Sequence, residues 1–219
     1  MEVIGNIEGD FSRYLDLIRD KETTVQLGNF GMKRTHDAYF DFPVDVDRHH
    51  ILFGSDDFYP YLHYPHSLGD FGYLELPEGY TAAYVRGGRS PLSRTHAHAY
   101  RGSEWTNYRD RMYWEDLPSL QFVEQELDAD SFYLARRSLH YRRPEIILTH
   151  EWPQRVYTQI TGNLDVNHTR LALDQMFSEY RPQLWVCGHH GVGTKKIFGR
   201  TTFICLSSFQ TVNLLHHLT

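Results

Sequence analysis

Apolar positions recur along the chain in two periods, and together they lay out a mixed order of strands and helices. Val3 to Ile7 reads as a strand that stops in a turn at Gly9. Phe11, Tyr14, Leu15 and Ile18 then repeat at i, i+3, i+4 and i+7, one face of a helix, with Asp10 as its N-cap. Thr24 to Leu27 and His49 to Phe53 predict two further strands, and Phe71 to Val85 predicts a pair folded around Pro77-Glu78-Gly79. Arg86 to Trp114 is rich in Gly, Ser and Arg without clear periodicity, which predicts a long ordered loop of the kind that often carries function. Leu120, Val123 and Leu127 predict a helix starting near Pro118, and Leu173, Met176, Phe177 and Tyr180 a second one closed before Pro182. Strands are expected at Glu145 to Thr149, Leu184 to Cys187, Ile197 to Phe198, Thr202 to Leu206 and Val212 to Leu215. The whole is an α/β pattern that turns strand-rich at its end.

No repeat or linker divides the 219 residues, so they are read as a single domain, 1–219. The charged share of 23% is ordinary, and no apolar run approaches the ~18 residues of a membrane-spanning helix. The start shows no basic flank ahead of an apolar run, so a cytoplasmic protein without membrane contact is expected. A net charge of -6 disfavours the broad basic face that tracks a nucleic-acid backbone. Against that balance, Arg136, Arg137, Arg142 and Arg143 form a local basic cluster, ordinarily a solvated helix face but able to hold an acidic partner or phosphates. Cys187 and Cys205 lack metal-finger spacing and are expected as buried, reduced thiols.

The chemistry-bearing residues stand at strand ends: Gly5-Asn6-Ile7-Glu8-Gly9, Gly28-Asn29, Gly54-Ser55-Asp56-Asp57, Thr149-His150-Glu151 and Gly188-His189-His190-Gly191. In open α/β sheets, sites form outside the carboxyl ends of strands, so these five ends are expected to meet. Their order and spacing resemble the calcineurin-like metallophosphoesterase family, whose motifs are Asp-x-His, Gly-Asp, Gly-Asn-His-Asp/Glu, a lone His and Gly-His-x-His. Arg86-Gly87-Gly88-Arg89-Ser90 and Tyr113-Trp114-Glu115-Asp116 look like segments of small bacterial and phage members. The resemblance implies a sandwich of two mixed β-sheets flanked by helices. It also makes a bacterial or phage origin plausible, with the host cytoplasm or a virion as the place.

Residue by residue, the resemblance also implies a degenerate site. Asn6 and Glu8 stand where the first motif gives Asp and His, and Asn29 where the metal-bridging Asp belongs. Ser55 falls on the metal-binding Asn, Asp56 on the catalytic His, and Gly191 on the last His, while His150 and His189 match. Asn6 and Asn29 remove two charges from the expected ligand shell, and Asp56 would need a raised pKa to donate a proton. The leading expectation is a pseudo-enzyme without metal cofactor that binds a protein partner or joins an assembly. Its candidate contact residues are Arg86, Arg89, Arg94, Trp105 and Trp114. The alternative is a phosphoesterase acting on phosphate mono- or diesters through one Mn or Zn ion held by Glu8, Asp56, His150 and His189, with Asp56 and His150 catalytic. Each residue also has an ordinary structural role: cap, turn former or hydrogen-bonded strand-end histidine.

Overall fold

A computed structural model describes residues 1–31, 44–55, 57, 65–88, 126–189, 191 and 193–218. The elements within them are β1 (Glu2–Ile4), α1 (Phe11–Ile18), β2 (Thr24–Leu27), β3 (His49–Leu52), β4 (Phe71–Glu75), β5 (Thr81–Val85) and α2 (Ala129–Arg142). They continue as β6 (Ile146–Thr149), α3 (Gln154–Thr161), α4 (His168–Glu179), β7 (Leu184–Cys187), β8 (Thr194–Phe198), β9 (Thr201–Cys205) and β10 (Thr211–Asn213). One sheet has the order β10-β1-β2-β3, and a second the order β4-β5-β6-β7-β9-β8. Both are mixed. In the first, β1, β2 and β3 run parallel and β10 antiparallel; in the second, β5, β6, β7 and β9 run parallel between antiparallel edges β4 and β8.

Side-chain parity along the strands builds three apolar layers. Val3, Val25, Leu27 and Leu52 of the first sheet meet Ala82, Ile146, Leu148, Leu184, Val186 and Ile204 of the second in a central core. The intervening positions, Ala83, Ile147, Trp185, Cys187, Phe203 and Cys205, face outward onto α2, α3 and α4 through Phe132, Ala135, Leu139, Val156, Leu173, Met176 and Phe177. On the far side of the first sheet, Ile4 and Ile51 pack against Tyr14 and Ile18 of α1. Covering both faces explains why β6 and β7 read as unbroken apolar runs rather than as alternating ones. The expected sandwich of two mixed sheets flanked by helices is thus the observed architecture.

Asp10 caps α1 as expected, its carboxylate accepting the Arg13 N–H at 3.1 Å. Cys187 and Cys205 are buried free thiols paired across β7 and β9, and burial pushes the Cys187 thiol up. Two expectations shift. Val212 to Leu215 is strand only to Asn213, and Leu214–His217 turns into a 3-10 helix. Leu127 is buried but lies just before α2, whose N-cap Asp128 accepts the Ser131 N–H at 2.8 Å. The rest of the helix expected from Pro118 lies outside the described residues. Helices α2 and α3 were not legible from periodicity. α2 carries apolar residues on two faces, and α3 is a short helix of mostly polar residues behind Trp152-Pro153.

Candidate functional site at the strand ends

The carboxyl ends of β1, β2 and β3 in one sheet and β6 and β7 in the other come together, as the motif order predicts. The loops after β1 and β2 are zipped by backbone hydrogen bonds: Ile7 N to Asn29 O at 3.2 Å, Glu8 N to Asn29 O at 2.9 Å and Gly9 N to Phe30 O at 3.0 Å. Both turns place a non-glycine residue in the left-handed region, Glu8 at φ 53° and Asn29 at φ 44°. Asn tolerates this because its short side chain hydrogen-bonds locally; Glu8 is held there by its neighbours. Glycine is required where the two sheets touch. A Cβ on Gly28, itself at φ 71°, would fall onto the His150 imidazole, and one on Gly188 onto the Leu27 carbonyl. The His150 and Gly188 loops are joined in turn by His189 N donating to His150 O at 3.0 Å.

Asp57 fixes the third loop. Fully buried, its carboxylate accepts Phe30 N at 3.1 Å, Gly31 N at 2.8 Å and Gly54 N at 2.9 Å, tying the β2 and β3 ends together. That places the buried Ser55 hydroxyl at the centre of the site. Its Oγ lies 3.4 Å from Asn29 Oδ1, 3.3 Å from His189 Nδ1 and 3.4 Å from His150 Nε2. A hydroxyl has one proton to donate, so only one of these three groups receives it. His150 Nδ1 lies 3.3 Å from the Leu27 carbonyl, which can only accept, so the proton of a neutral His150 belongs on Nδ1. The rings of His150 and His189 meet edge to face with centroids 4.5 Å apart.

The second carboxylate, Glu151, is also fully buried and also committed. Its Oε1 accepts Trp152 N at 3.1 Å and lies 3.0 Å from Arg170 Nε, while Oε2 accepts Asn167 Nδ2 at 3.3 Å. Arg170 is itself buried, its guanidinium 3.5 Å from the Tyr157 ring centroid. His189 Nε2 approaches Glu151 Oε2 at 3.8 Å, so this ion pair forms the wall on which the His189 ring rests.

Of the residues singled out in the sequence, Asn29, His150 and His189 are thus gathered around Ser55. Asn6 is buried beside them, donating from Nδ2 to Glu8 Oε1 at 3.1 Å, and its Oδ1 has no hydrogen-bond partner among the described residues. Glu8 itself is exposed. Gly191, where the resemblance asks for a histidine, is an exposed glycine at φ 62°, with no described residue within 4 Å of where a Cβ would stand. Arg86 is buried with its Nε on Asp70, an internal pairing and not an open contact surface. Asp56, Arg89, Arg94, Trp105 and Trp114 lie outside the described residues. Asp57, Glu151, Asn167 and Arg170 were missed as supporting residues. Asp57 and Glu151 stand in the turns already noted, but nothing local marks them as the carboxylates that hold the site.

A two-metal centre does not fit the described donors. Asn6, Asn29 and Ser55 are neutral, and the buried carboxylates of Asp57 and Glu151 already serve backbone N–H groups and Arg170. Among the described residues no three His, Cys, Asp or Glu side chains are grouped to hold an ion. Nor is any helix among them long and apolar enough to cross a membrane.

No family model matches the chain, and no curated protein does. Solved structures resemble it at low similarity. One is a conserved uncharacterized protein from Streptococcus pneumoniae, described as a predicted phosphoesterase, at 10% identity and TM-score 0.35, with 94% of this chain and 72% of that one covered. Another is GAP50, the anchor in the inner membrane complex of Plasmodium, at 7% identity and TM-score 0.40, with 94% and 71% covered.

Proposed function

We propose that this chain is a phosphoesterase-like protein that acts by binding, with a protein partner or within an assembly, and not by two-metal hydrolysis. The supporting observation is the chemistry of the strand-end cluster. Two divalent ions about 4 Å apart repel by roughly 15–20 kcal/mol even at an effective dielectric of about 20, and anionic ligands around and between them must offset this. At the β1 and β2 ends the chain supplies Asn6 and Asn29, which coordinate only through a neutral carbonyl oxygen. Asp57 ties the β2 and β3 loops together and the Glu151–Arg170 pair anchors the β6 loop, so the buried carboxylates serve the scaffold.

A second reading, one Mn or Zn ion, is favoured by the approach of His150 and His189, with Glu8 and Asp56 as further ligands. Metal content of tag-free protein, stripped and reloaded with Mn²⁺ or Zn²⁺, separates the two when measured beside turnover of bis-p-nitrophenyl phosphate. The binding reading expects no tightly held ion and no turnover. Turnover abolished by His150→Ala would overturn it, and a single ion lost in His150→Ala and His189→Ala would establish the alternative.

A further inference from the structure

Helix α2 carries large side chains on two opposite faces, and among the described residues only one of them enters the core. Phe132, Ala135 and Leu139 enter the core. On the opposite side, Tyr133, Leu134, Arg137, His140 and Tyr141 follow one another at i, i+1, i+4, i+7 and i+8, a stripe about 12 Å long. Tyr133 and Leu134 are each 52% exposed and Tyr141 72% exposed. A single exposed apolar residue is ordinary, but an aligned Tyr, Leu and Tyr interleaved with arginine has the composition of an interface centre.

The charges around the stripe specify the partner. Arg136 is engaged by the protein itself, its Nε 3.6 Å from Glu179 and its Nη1 donating to Gln175 at 3.3 Å. Arg137, Arg142 and Arg143 form no ion pair among the described residues. Arg137 leans over the Tyr141 ring at 5.9 Å and Arg142 over the Tyr73 ring at 4.6 Å. Arg143 closes the helix in a left-handed conformation and is exposed. Arg137 thus lies within the exposed apolar stripe of a helix whose first turn also presents Asp130, and Arg142 and Arg143 stand at the C-terminal end of the helix, on a chain whose net charge is -6.

We infer that this face of α2 docks an acidic amphipathic segment of a protein partner. Apolar side chains of that segment would cover Tyr133, Leu134 and Tyr141, and its carboxylates would pair with Arg137, Arg142 and Arg143. A nucleic-acid backbone would use the arginines but leave the leucine uncovered. The inference goes beyond the reading of the strand-end site and is independent of its metal content.

The test is fluorescence anisotropy with a short labelled peptide of Glu and Leu in helical amphipathic order. A Lys/Leu peptide of the same order and an oligo-dT strand serve as the competing probes. The Glu/Leu peptide should bind and weaken as salt is raised. Its affinity should fall by about tenfold or more in Arg137→Glu and in Tyr141→Ala, both surface changes. Lys195→Glu, on strand β8, should leave it unchanged. Absent binding, binding indifferent to both α2 variants, or tighter binding of the Lys/Leu peptide or oligo-dT would overturn the proposal.

Discussion

Asp57→Asn is the sharpest test of how the strand-end site is held together. The carboxylate gives Oδ1 to Gly31 N and shares Oδ2 between Phe30 N and Gly54 N. An asparagine in the same rotamer offers one carbonyl oxygen, and its amide turns a donor toward at least one of those donors. If the oxygen takes the Oδ2 position, Gly31 N–H is left buried and unsatisfied, at a cost of about 1–3 kcal/mol. The other two bonds fall from charge-assisted, at about 1.5–3 kcal/mol each, toward the neutral value of about 1 kcal/mol. The sum, about 2–7 kcal/mol, is a large part of the ~5–15 kcal/mol by which a domain is stable. For a chain of this length it should lower Tm by on the order of 10 °C. Thermal melts by circular dichroism, together with urea midpoints at neutral pH, read this directly. A melting point within about 2 °C of the parent would refute the idea that Asp57 ties the β2 and β3 ends.

Three further expectations follow from other parts of the molecule. Arg170→Met should destabilise by about 3–5 kcal/mol, because it strands the buried Glu151 carboxylate, and adding Glu151→Gln should restore much of that loss; urea midpoints of both single variants and the double variant read the coupling. Gly28→Ala should cost about 2–5 kcal/mol from its left-handed backbone and the collision with His150, to be seen as a lowered Tm or loss of soluble protein. Burial, with Arg48 adding to it, holds the His49 imidazole below its ordinary 6.5, and burial lowers His50 as well. The unfolded chain therefore takes up protons near pH 6.5 that the folded one refuses, so the stability these residues contribute is present above that value and lost as pH falls through it. His49→Gln should flatten the fall in urea midpoint between neutral and mildly acid pH; an unchanged slope would count against His49 as its source.

Much of the fold was written in local pattern. The i, i+3, i+4, i+7 face of α1 and its Asp10 cap became a helix with Tyr14 and Ile18 buried. The strands expected before each polar turn formed there, because period-2 and period-3.6 burial are properties of a few neighbouring residues. The meeting of the strand ends was also legible, since glycines and polar residues after successive strands can serve a common purpose only on one edge of a sandwich. Where local pattern is ambiguous, the reading stopped. α2 escaped because Tyr133, Leu134 and Tyr141 spoil its amphipathic contrast, and the same residues form the exposed face proposed above to dock a partner.

Tertiary structure alone decided which strand lies beside which: β9 beside β7 with β8 outermost, and β10 returning to pair with β1. It also decided the fate of the charges. Nothing near Glu151 announces that Arg170 and Asn167 will neutralise and bind it, or that Asp57 will spend its carboxylate on three backbone N–H groups instead of a ligand. Those pairings join residues distant in sequence, and the energy of a buried charge depends on every partner that folding brings to it. Residue identity fixed which donors stand at the strand ends, while the folded chain determined how the carboxylates among them are used.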